Sequence, residues 1–530
     1  MRHIFLALSV LALIACEKSP PSVDVNGEVL LGKYVEDGNV AAFLGVPFAE
    51  PPVGELRWRA PQPLAEKVKR RNVTAFAPAC MQTMRILDWY RDMAELFGSS
   101  ADYYEDLDIS EDCLYLNLWT PTLDSQAGLP VMVWIHGGSN KSGWSYEPNY
   151  HGHTLAQEDV VVVSVAYRQG VFGFLSHPEM PADEPQANFA YWDLIAALRW
   201  IQDHIGRFGG DPQRVTLFGE SAGAQNILAL MFANAADGLF HRGILQSNAG
   251  FGLRRISTLE DEQQRGLALA AALGLGAEGS LANLRQVPAA RILEVYDATF
   301  SDYYHSPAVD GRLIVRSTWA SIHERGFGAR QLIIGSNDHE WYASVPSDTT
   351  WDDVNRKGAE LLEGIDYESA LEIVRNEDDP RRAMDRLITA TSMLCASQHV
   401  AAEITAAGGD AWMYHFTRVR DDDAGETLGA YHGVEYPYIF ATHDDYMTTN
   451  DSDLALENVM QRYWVRFAAT GDPNSTDVPE WPRFARPDFP VQELGDEVFT
   501  KPAPEPELCA LFEDWHAENY SGRPGRDSTR

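Results

Sequence analysis

Basic residues are scarce in this chain of 530 residues, which has 42 lysines and arginines against 77 aspartates and glutamates and a formal net charge of −35 at pH 7. So acidic a surface repels nucleic acid and anionic lipid headgroups, and it favours neutral or cationic partners. The sequence also lacks internal repeats and long low-complexity segments, which excludes solenoid and fibrous folds. We therefore expect a globular protein without a nucleic-acid partner.

The N-terminal apolar run is too short for a membrane span. Ile4–Ala15 follows two basic residues and falls below the roughly 20 residues that a spanning helix needs. The pattern predicts an export signal over residues 1–15. The sequence LIAC at its end resembles the lipobox of bacterial lipoproteins, in which the cysteine, here Cys16, is lipidated. Residues 16–22 then form a tether, and membrane association is through the lipid anchor only.

The residue after Cys16 is Glu17 rather than aspartate, which favours the outer membrane among bacterial lipoproteins. The alternative is an ordinary cleaved signal, which gives a soluble periplasmic or secreted protein. Either way the protein is exported.

Cysteine is rare, with five residues in the whole chain. An oxidising compartment permits disulfides, and lipidation of Cys16 leaves an even number of thiols. The remaining cysteines are Cys80, Cys113, Cys395 and Cys509. Sequence spacing alone leaves their three possible connectivities open.

Apolar segments alternate between strand-like and helix-like patterns, which predicts a mostly parallel sheet flanked by helices. Buried strands are expected in PVMVWIHGG, VVVVSVAYR, RVTLFG, GILQS and QLIIGS. A helix face is expected from Leu194, Leu198, Ile201, Ile205 and Phe208, which recur at spacings of four and three. Helix-rich intervals near 254–325 and 351–405 interrupt the strands and are expected to form a cap.

The stretch VTLFGESAGAQ places Ser221 between Gly219 and Gly223, after a predicted strand and before a helix-compatible run. Strand, Gly-x-Ser-x-Gly and helix together form the nucleophile elbow of α/β-hydrolases. Such a serine projects at a helix N-terminus, where backbone N–H groups stabilise developing negative charge. Ser221 is therefore the predicted nucleophile.

A serine hydroxyl needs a histidine base and an acid that orients the base, in the chain order Ser, Asp or Glu, His. Glu340 and His432 follow Ser221 in this order, and Glu340 comes shortly after a predicted strand. Asp338 and His339 compete for these roles from the same loop as Glu340.

Several longer blocks extend the pattern across nearly the whole chain. They are FLGVPFAEPPVGELRWRAPQP, SEDCLYLNLWTP, VMVWIHGG, YRQGVFGFL, WIQDHIGRFGGDPQRVTLFGESAGA and TGDPN, in this order. Together they resemble the type-B carboxylesterases, a family that includes cholinesterases and para-nitrobenzyl esterases. The resemblance implies an α/β-hydrolase fold over residues 23–517 as a single domain, with a tail at 518–530.

The resemblance also implies roles for individual residues. Ser221 matches the nucleophile, Glu340 the acid and His432 the base, while Glu220 and the buried Ser247 match supporting positions. The oxyanion hole departs from the family, since HGGS at His136–Ser139 replaces the usual HGGG. Backbone N–H groups are the donors there, so we expect Gly138, Ser139 and Ala222 to supply them, with a Cβ at position 139 narrowing the space beside the scissile carbonyl.

Two disulfides follow from the same resemblance, namely Cys80–Cys113 and Cys395–Cys509. Arg57 and Glu111 match a structural salt bridge of the family. The aromatic residues of the Cys80–Cys113 loop, Trp89, Tyr90, Tyr103 and Tyr104, are candidates for a substrate entrance.

The leading functional interpretation is a serine carboxylesterase that hydrolyses a small-molecule ester through an acyl-enzyme. The alternatives are a catalytically silent adhesion or binding member of the same fold and a peptidase on that fold. Lys141, beside the oxyanion loop, would favour an anionic substrate. His151 and His153 have no partners with ligand spacing, so we expect no metal and no cofactor. The oligomeric state and the natural ester stay open.

Overall fold

The described part of the computed structural model comprises residues 19–65, 68–247, 257–276, 280–301, 303–316, 320–321, 330–362 and 366–512. The predicted signal segment 1–15, the lipidation site Cys16 and the tail 518–530 lie outside these residues, as do parts of the first helical interval. Ser22, the last residue of the predicted tether, begins the first strand. No helix within the described ranges is long and apolar enough to cross a membrane.

The strands of the described chain form one large sheet and two small ones. In chain order they are β1 (Ser22–Val25), β2 (Glu28–Leu31), β3 (Lys33–Val35), β4 (Val40–Pro47), β5 (Arg70–Asn72), β6 (Ala79–Cys80), β7 (Ile109–Ser110), β8 (Tyr115–Thr120), β9 (Leu129–Ile135), β10 (Val161–Val165), β11 (Gly210–Glu220), β12 (Arg242–Gln246), β13 (Gln331–Asn337), β14 (Asp410–Phe416), β15 (Pro490–Leu494) and β16 (Val498–Pro502).

The large sheet has eleven strands in the order β16-β15-β14-β13-β12-β11-β9-β10-β8-β4-β3. Strands β15 through β10 in this order run parallel, and antiparallel strands flank them at both sides. The parallel strands share one carboxyl edge, where open α/β sheets collect functional groups. The fold is that of the α/β-hydrolases, as predicted.

Helices connect and cover these strands. They are α1 (Arg85–Leu96), α2 (His153–Ala156), α3 (Gly170–Phe174), α4 (Phe189–His204), α5 (Ala222–Phe232), α6 (Leu259–Ala272), α7 (Leu281–Gln286), α8 (Ala289–Phe300), α9 (Trp351–Leu361), α10 (Tyr367–Val374), α11 (Pro380–Thr389), α12 (Cys395–Ala406), α13 (Asp423–Leu428), α14 (Tyr436–Phe440) and α15 (Asp451–Thr470). A 3₁₀ turn, Ile205–Phe208, extends α4, and a π turn, Ala390–Leu394, joins α11 to α12.

Each predicted strand is present within one to three residues of its expected end. The predicted helix face also forms, because all five of its apolar residues are buried on α4 and its 3₁₀ extension. Helices occupy both intervals that were expected to form a cap. Their function as a cap stays a prediction.

The two faces of the sheet carry separate apolar cores. Along β9, Val133 and Ile135 pack in one core with the helices α4 and α5, whereas Met132 and Trp134 pack in the other. This alternation follows from the two-residue period of a strand. Because both faces of the central strands are buried, their sequences are almost continuously apolar.

Arg57 connects the loop that contains Glu111 to the helical interval after β12. Its guanidinium forms two hydrogen bonds of 2.6 Å with the carboxylate of Glu111, as the family resemblance implies. The same guanidinium also donates to the carbonyl oxygens of Leu284, Arg285 and Val287. This buried ion pair therefore links two distant segments of the chain.

Both implied disulfides are present. Cys80 and Cys113 have Cα atoms 4.9 Å apart, and those of Cys395 and Cys509 are 5.0 Å apart. The first closes the loop that contains α1, and the second ties the start of α12 to the C-terminal segment. Each is expected to stabilise the fold by about 2–4 kcal/mol through restriction of the unfolded chain.

A protein that begins at Ser22 has four cysteines, because only Cys16 of the five precedes that residue. When denatured without reductant it should not react with a thiol reagent, since every thiol is in a disulfide, and after reduction it should take up four equivalents, counted by mass spectrometry. A Cys80→Ser variant provides the control, because it frees Cys113 alone. Labelling of Cys80 or Cys509 in the unreduced parent protein would contradict this pairing.

Candidate active site

Ser221 occupies the turn between β11 and α5 with backbone angles of φ 52° and ψ −123°. This conformation is unfavourable for a residue with a side chain. A Cβ atom added to Gly219 or Gly223 would lie 2.4 or 2.0 Å from the carbonyl oxygen of Ile135. Both glycines are therefore required where the elbow approaches β9. On the other side, the Ser221 N–H donates to the carbonyl oxygen of Gln246 at 2.9 Å.

His432 and Glu340 meet at the carboxyl edge of the sheet. Nδ1 of His432 donates to Oε2 of Glu340 at 2.6 Å. The other carboxylate oxygen of Glu340 accepts the N–H of Asn337, the last residue of β13, at 2.7 Å. The competitor Asp338 pairs with Arg382 instead, at 2.7 Å. The structure thus brings the predicted acid and base together.

Asn337 braces the loops that carry these two residues. Its amide nitrogen donates to the carbonyl oxygen of Tyr431 at 2.8 Å and to the carboxylate of Glu435 at 2.7 Å. Glu435 is fully buried, and burial together with the charge of Glu220 raises its pKa to about 7. Sequence reasoning did not identify Asn337. Its position at the end of a predicted strand was the available signal.

Glu220 provides a second carboxylate beside the histidine. Nε2 of His432 lies 2.9 Å from Oε1 of Glu220, which is buried. Burial of the ring opposes protonation, but the charge and hydrogen bond of Glu220 and those of Glu340 outweigh it and hold the pKa of His432 well above its usual range. The hydroxyl of Ser221 makes no hydrogen bond to the described residues. In this state the imidazole therefore lies between two carboxylates.

Trp341 fixes the plane of the imidazole. Its ring stacks on that of His432 with centroids 5.4 Å apart and an interplanar angle of 18°. Its backbone N–H donates to Asp385 and its indole N–H to Ser392. The tryptophan is thus held by α11 and the following π turn, two contacts that the sequence did not indicate.

The three candidate oxyanion donors come from two segments, Gly138 and Ser139 from the loop after β9 and Ala222 from the start of α5. Gly138 has a φ of 100°, and a Cβ atom there would lie 2.0 Å from the carbonyl oxygen of Ser142. Ser139 and Asn140 follow with φ values of 61° and 56°. Among the described residues, no backbone or side-chain acceptor receives the N–H groups of Gly138, Ser139 or Ala222. These three groups are available to a ligand.

Asn140 anchors this loop to α5. Its side chain is fully buried and exchanges hydrogen bonds with the amide of Asn226 at 3.2 and 2.9 Å. It also donates to the carbonyl oxygen of His305 at 3.1 Å. The oxyanion loop and the elbow helix are therefore joined directly.

One pocket is lined by Ser221, His432, Glu340 and Glu220 together with Trp341 and two of the oxyanion candidates, Gly138 and Ser139. Its lining residues are Arg85, Ile86, Trp89, Tyr90, Gly137, Gly138, Ser139, Glu147, Tyr150, Glu220, Ser221, Glu340, Trp341, Ala343, Ser344, Tyr431, His432 and Tyr436. Glu147, which the sequence did not single out, accepts the hydroxyl of Tyr90 at 2.6 Å, and burial raises its pKa to about 7. Of the four expected entrance aromatics, Trp89 and Tyr90 are in the lining.

The remaining predicted residues lie outside this pocket. Ser247 is fully buried after β12, and its N–H donates to the carbonyl oxygen of Gly335 at 2.9 Å. Its supporting role stays a prediction. The sequence suggested that Lys141 would favour an anionic substrate. Its ammonium instead donates to the carbonyl oxygen of Ser301, and Lys141 is not among the residues that line the pocket. No group of three or more metal-ligating side chains occurs in the described parts of the chain.

Comparisons with known proteins agree with this geometry. The sequence profile of the carboxylesterase family matches residues 19–510. Fumonisin B1 esterase from Sphingopyxis macrogoltabida is 32% identical over 466 residues, which cover 85% of this chain and 82% of that protein. Liver carboxylesterase 1 from Oryctolagus cuniculus is 32% identical over 537 residues, which cover 90% and 91%.

Solved structures of carboxylesterases are also similar to this chain over most of its length. The carboxylesterase EST55 of Geobacillus stearothermophilus superposes with a TM-score of 0.80 at 28% identity, covering 92% of this chain and 99% of that one. A structure of PNB esterase has the same TM-score and coverage at 29% identity.

The pKa of His432 gives a prediction about pH. Only the neutral imidazole accepts a proton, so the reaction of Ser221 with a fluorophosphonate should accelerate as pH rises through a pKa above the usual range. Glu220→Gln removes a charge that raises this pKa, so the midpoint of the rate profile should move to lower pH. The measurement is the second-order labelling rate from pH 4 to 9.

Glu158→Gln is the control for this experiment, since it removes the same charge from an exposed position. It should leave the midpoint in place. A midpoint that stays the same or rises in Glu220→Gln contradicts the electrostatic role of Glu220.

Proposed function

The chain belongs to the carboxylesterase family and is a serine hydrolase of carboxylic esters, and we propose that Ser221, His432 and Glu340 are its catalytic triad. The observation that carries this assignment is the convergence of the three side chains on one pocket, with Glu340 hydrogen-bonded to Nδ1 of His432. The substrate is a small-molecule ester.

In the acylation step, the oxygen of Ser221 attacks the ester carbonyl carbon while its proton moves to Nε2 of His432. Glu340 stabilises the imidazolium through the Nδ1–H hydrogen bond. Negative charge develops on the carbonyl oxygen, and the N–H groups of Gly138, Ser139 and Ala222 receive it. The carbon–oxygen bond to the alcohol then breaks, and His432 gives its proton to the leaving alkoxide.

Deacylation repeats these steps with water in place of Ser221. His432 takes a proton from the water, which attacks the acyl carbon, and then returns a proton to the Ser221 oxygen as the acid departs. Nε2 faces Glu220 in the free enzyme, so the proposed mechanism requires the imidazole to turn from Glu220 towards Ser221 before the proton is transferred. Hydrogen bonds in free active sites commonly tighten only in the substrate complex.

The features of the site argue against two other functions on this fold. A silent binding protein has no need for a strained serine elbow, an oriented histidine and unoccupied N–H donors in one pocket, because backbone strain is retained where function uses it. A peptidase would need a group that binds a free peptide terminus, and the sequence offers no pattern for one. Ester hydrolysis is therefore the function that these features support best.

We further propose that the protein is a lipid-anchored component of the cell envelope, in the outer membrane. The support comes from the sequence alone: a short apolar segment, LIAC ending at Cys16, and a short tether before β1. Each buried methylene contributes ~0.8 kcal/mol to the free energy of membrane binding. Several acyl chains can therefore anchor the protein, although its net charge of −35 gives it no attraction to anionic lipid.

Ser221→Ala should lower kcat/KM for para-nitrophenyl butyrate by at least about 10³-fold, because the relay loses its nucleophile while packing is unchanged. The variant should also lose labelling by a fluorophosphonate and melt near the parent temperature. Ser125→Ala, at an exposed loop position, is the matched control and should turn over normally. Near-normal turnover by Ser221→Ala would refute the assignment.

The anchor is tested by fractionation of the full chain. We expect it to sediment with membranes and to be released by detergent but not by high salt, since acyl chains rather than charge hold it. Cys16→Ser should abolish incorporation of labelled fatty acid, and a chain beginning at Ser22 should be soluble and active. Recovery of the full chain solely in the soluble fraction without an acyl group would establish the ordinary cleaved signal instead.

A further inference from the structure

The pocket is lined by carboxylates that have binding partners and by one arginine that has no ion-pair partner among the described residues. The three carboxylates that line it are each bound by a neighbour: Glu340 and Glu220 by His432, and Glu147 by Tyr90 and the Trp144 N–H. Arg85 is the cationic side chain among the lining residues that keeps its charge at any working pH. It forms no ion pair with the described residues.

Arg85 reaches the oxyanion loop. Its Nη1 lies 3.4 Å from the hydroxyl oxygen of Ser139, a long contact that leaves the other guanidinium N–H groups free. The residue is exposed and begins α1. A cation in the first turn of a helix is opposed by the helix dipole, so Arg85 does not stabilise this helix. Stabilisation of the helix therefore does not account for an arginine at this position.

The lysine beside the same loop does not compete for this role. The ammonium of Lys141 is directed to the carbonyl oxygen of Ser301 and lies 5.5 Å from the ring centroid of Tyr304. Among the described residues that line the pocket, Arg85 is therefore the cation other than the protonated form of His432.

We propose that Arg85 is a specificity-determining residue that selects esters carrying a carboxylate close to the scissile bond. The inference rests on the proposed function, because it places the ester carbonyl at the N–H of Ser139. A guanidinium that contacts the Ser139 hydroxyl is within reach of a carboxylate a few bonds from that carbonyl. Its planar fork binds a carboxylate through two parallel hydrogen bonds.

The charge of the whole molecule limits this preference to weakly charged esters. A protein with a net charge of −35 repels anions at long range, although salt screens that repulsion beyond roughly 10 Å. A single carboxylate incurs little of this repulsion and gains a direct contact with Arg85. A polyanion incurs the repulsion several times for one such contact, so the ligand class is the monocarboxylate ester.

The test compares charged and neutral esters of similar shape. For the acyl side the pair is mono-para-nitrophenyl glutarate and para-nitrophenyl butyrate, and for the alcohol side it is carboxymethyl butyrate and propyl butyrate, followed by acid release. For each enzyme the measured quantity is the ratio of kcat/KM for the charged ester to that for the neutral one. Arg85→Gln should lower this ratio by about tenfold or more in at least one pair, mainly through KM. The pair that responds identifies the side of the ester that carries the carboxylate.

Two further variants make the result specific. Arg85→Lys keeps the charge without the fork and should recover part of the ratio. Arg356→Gln removes the same charge from the exposed face of α9 and should leave both ratios unchanged. Unchanged ratios in Arg85→Gln, or an equal loss in Arg356→Gln, would overturn the proposal. Absence of turnover of the neutral esters by the parent protein would instead refute the proposed function.

Discussion

The active site depends on one backbone contact, the approach of the elbow to the carbonyl oxygen of Ile135. Gly219 precedes the nucleophile and Gly223 follows it, and a Cβ atom on either would collide with that same oxygen. Ile135 is the last residue of β9, and His136 and Gly137 connect it to Gly138 and Ser139. The contact therefore holds the Ser221 elbow close to the segment that carries the candidate N–H donors. It joins the strained elbow and the oxyanion loop through the backbone itself.

A second constraint is electrostatic. His432 lies between Glu340 on Nδ1 and Glu220 on Nε2, and a base with two anionic neighbours binds its proton strongly. Such stabilisation favours the imidazolium that forms during attack by Ser221. It also makes the free imidazole scarcer in acid, so it lowers activity there.

The sequence predicted the parts of this site that local patterns encode. Gly-x-Ser-x-Gly between a strand and a helix predicted Ser221 as the nucleophile, and chain order together with family resemblance predicted Glu340 and His432 as its partners. The structure places all three side chains in one pocket. The contacts of Asn337, Trp341 and Arg85 could not be predicted in this way, since each joins segments distant in the chain. Lys141 shows that proximity in sequence can also mislead. It is adjacent to the oxyanion loop in sequence, yet its ammonium binds the carbonyl oxygen of Ser301, which follows α8, rather than facing the pocket.

Ser139 shows how a departure from the family pattern is accommodated. Its φ of 61° is one that glycine adopts freely, and a serine there costs on the order of 1 kcal/mol or more. The hydrogen bonds between Asn140 and Asn226 hold the loop in place against that strain. The N–H of residue 139 has no acceptor among the described residues and stays available for the donor role that we propose, since the backbone adopts a conformation that a glycine would also adopt. What the substitution adds is a hydroxyl beside Arg85, which connects the oxyanion loop to the charge that we assign to substrate selection.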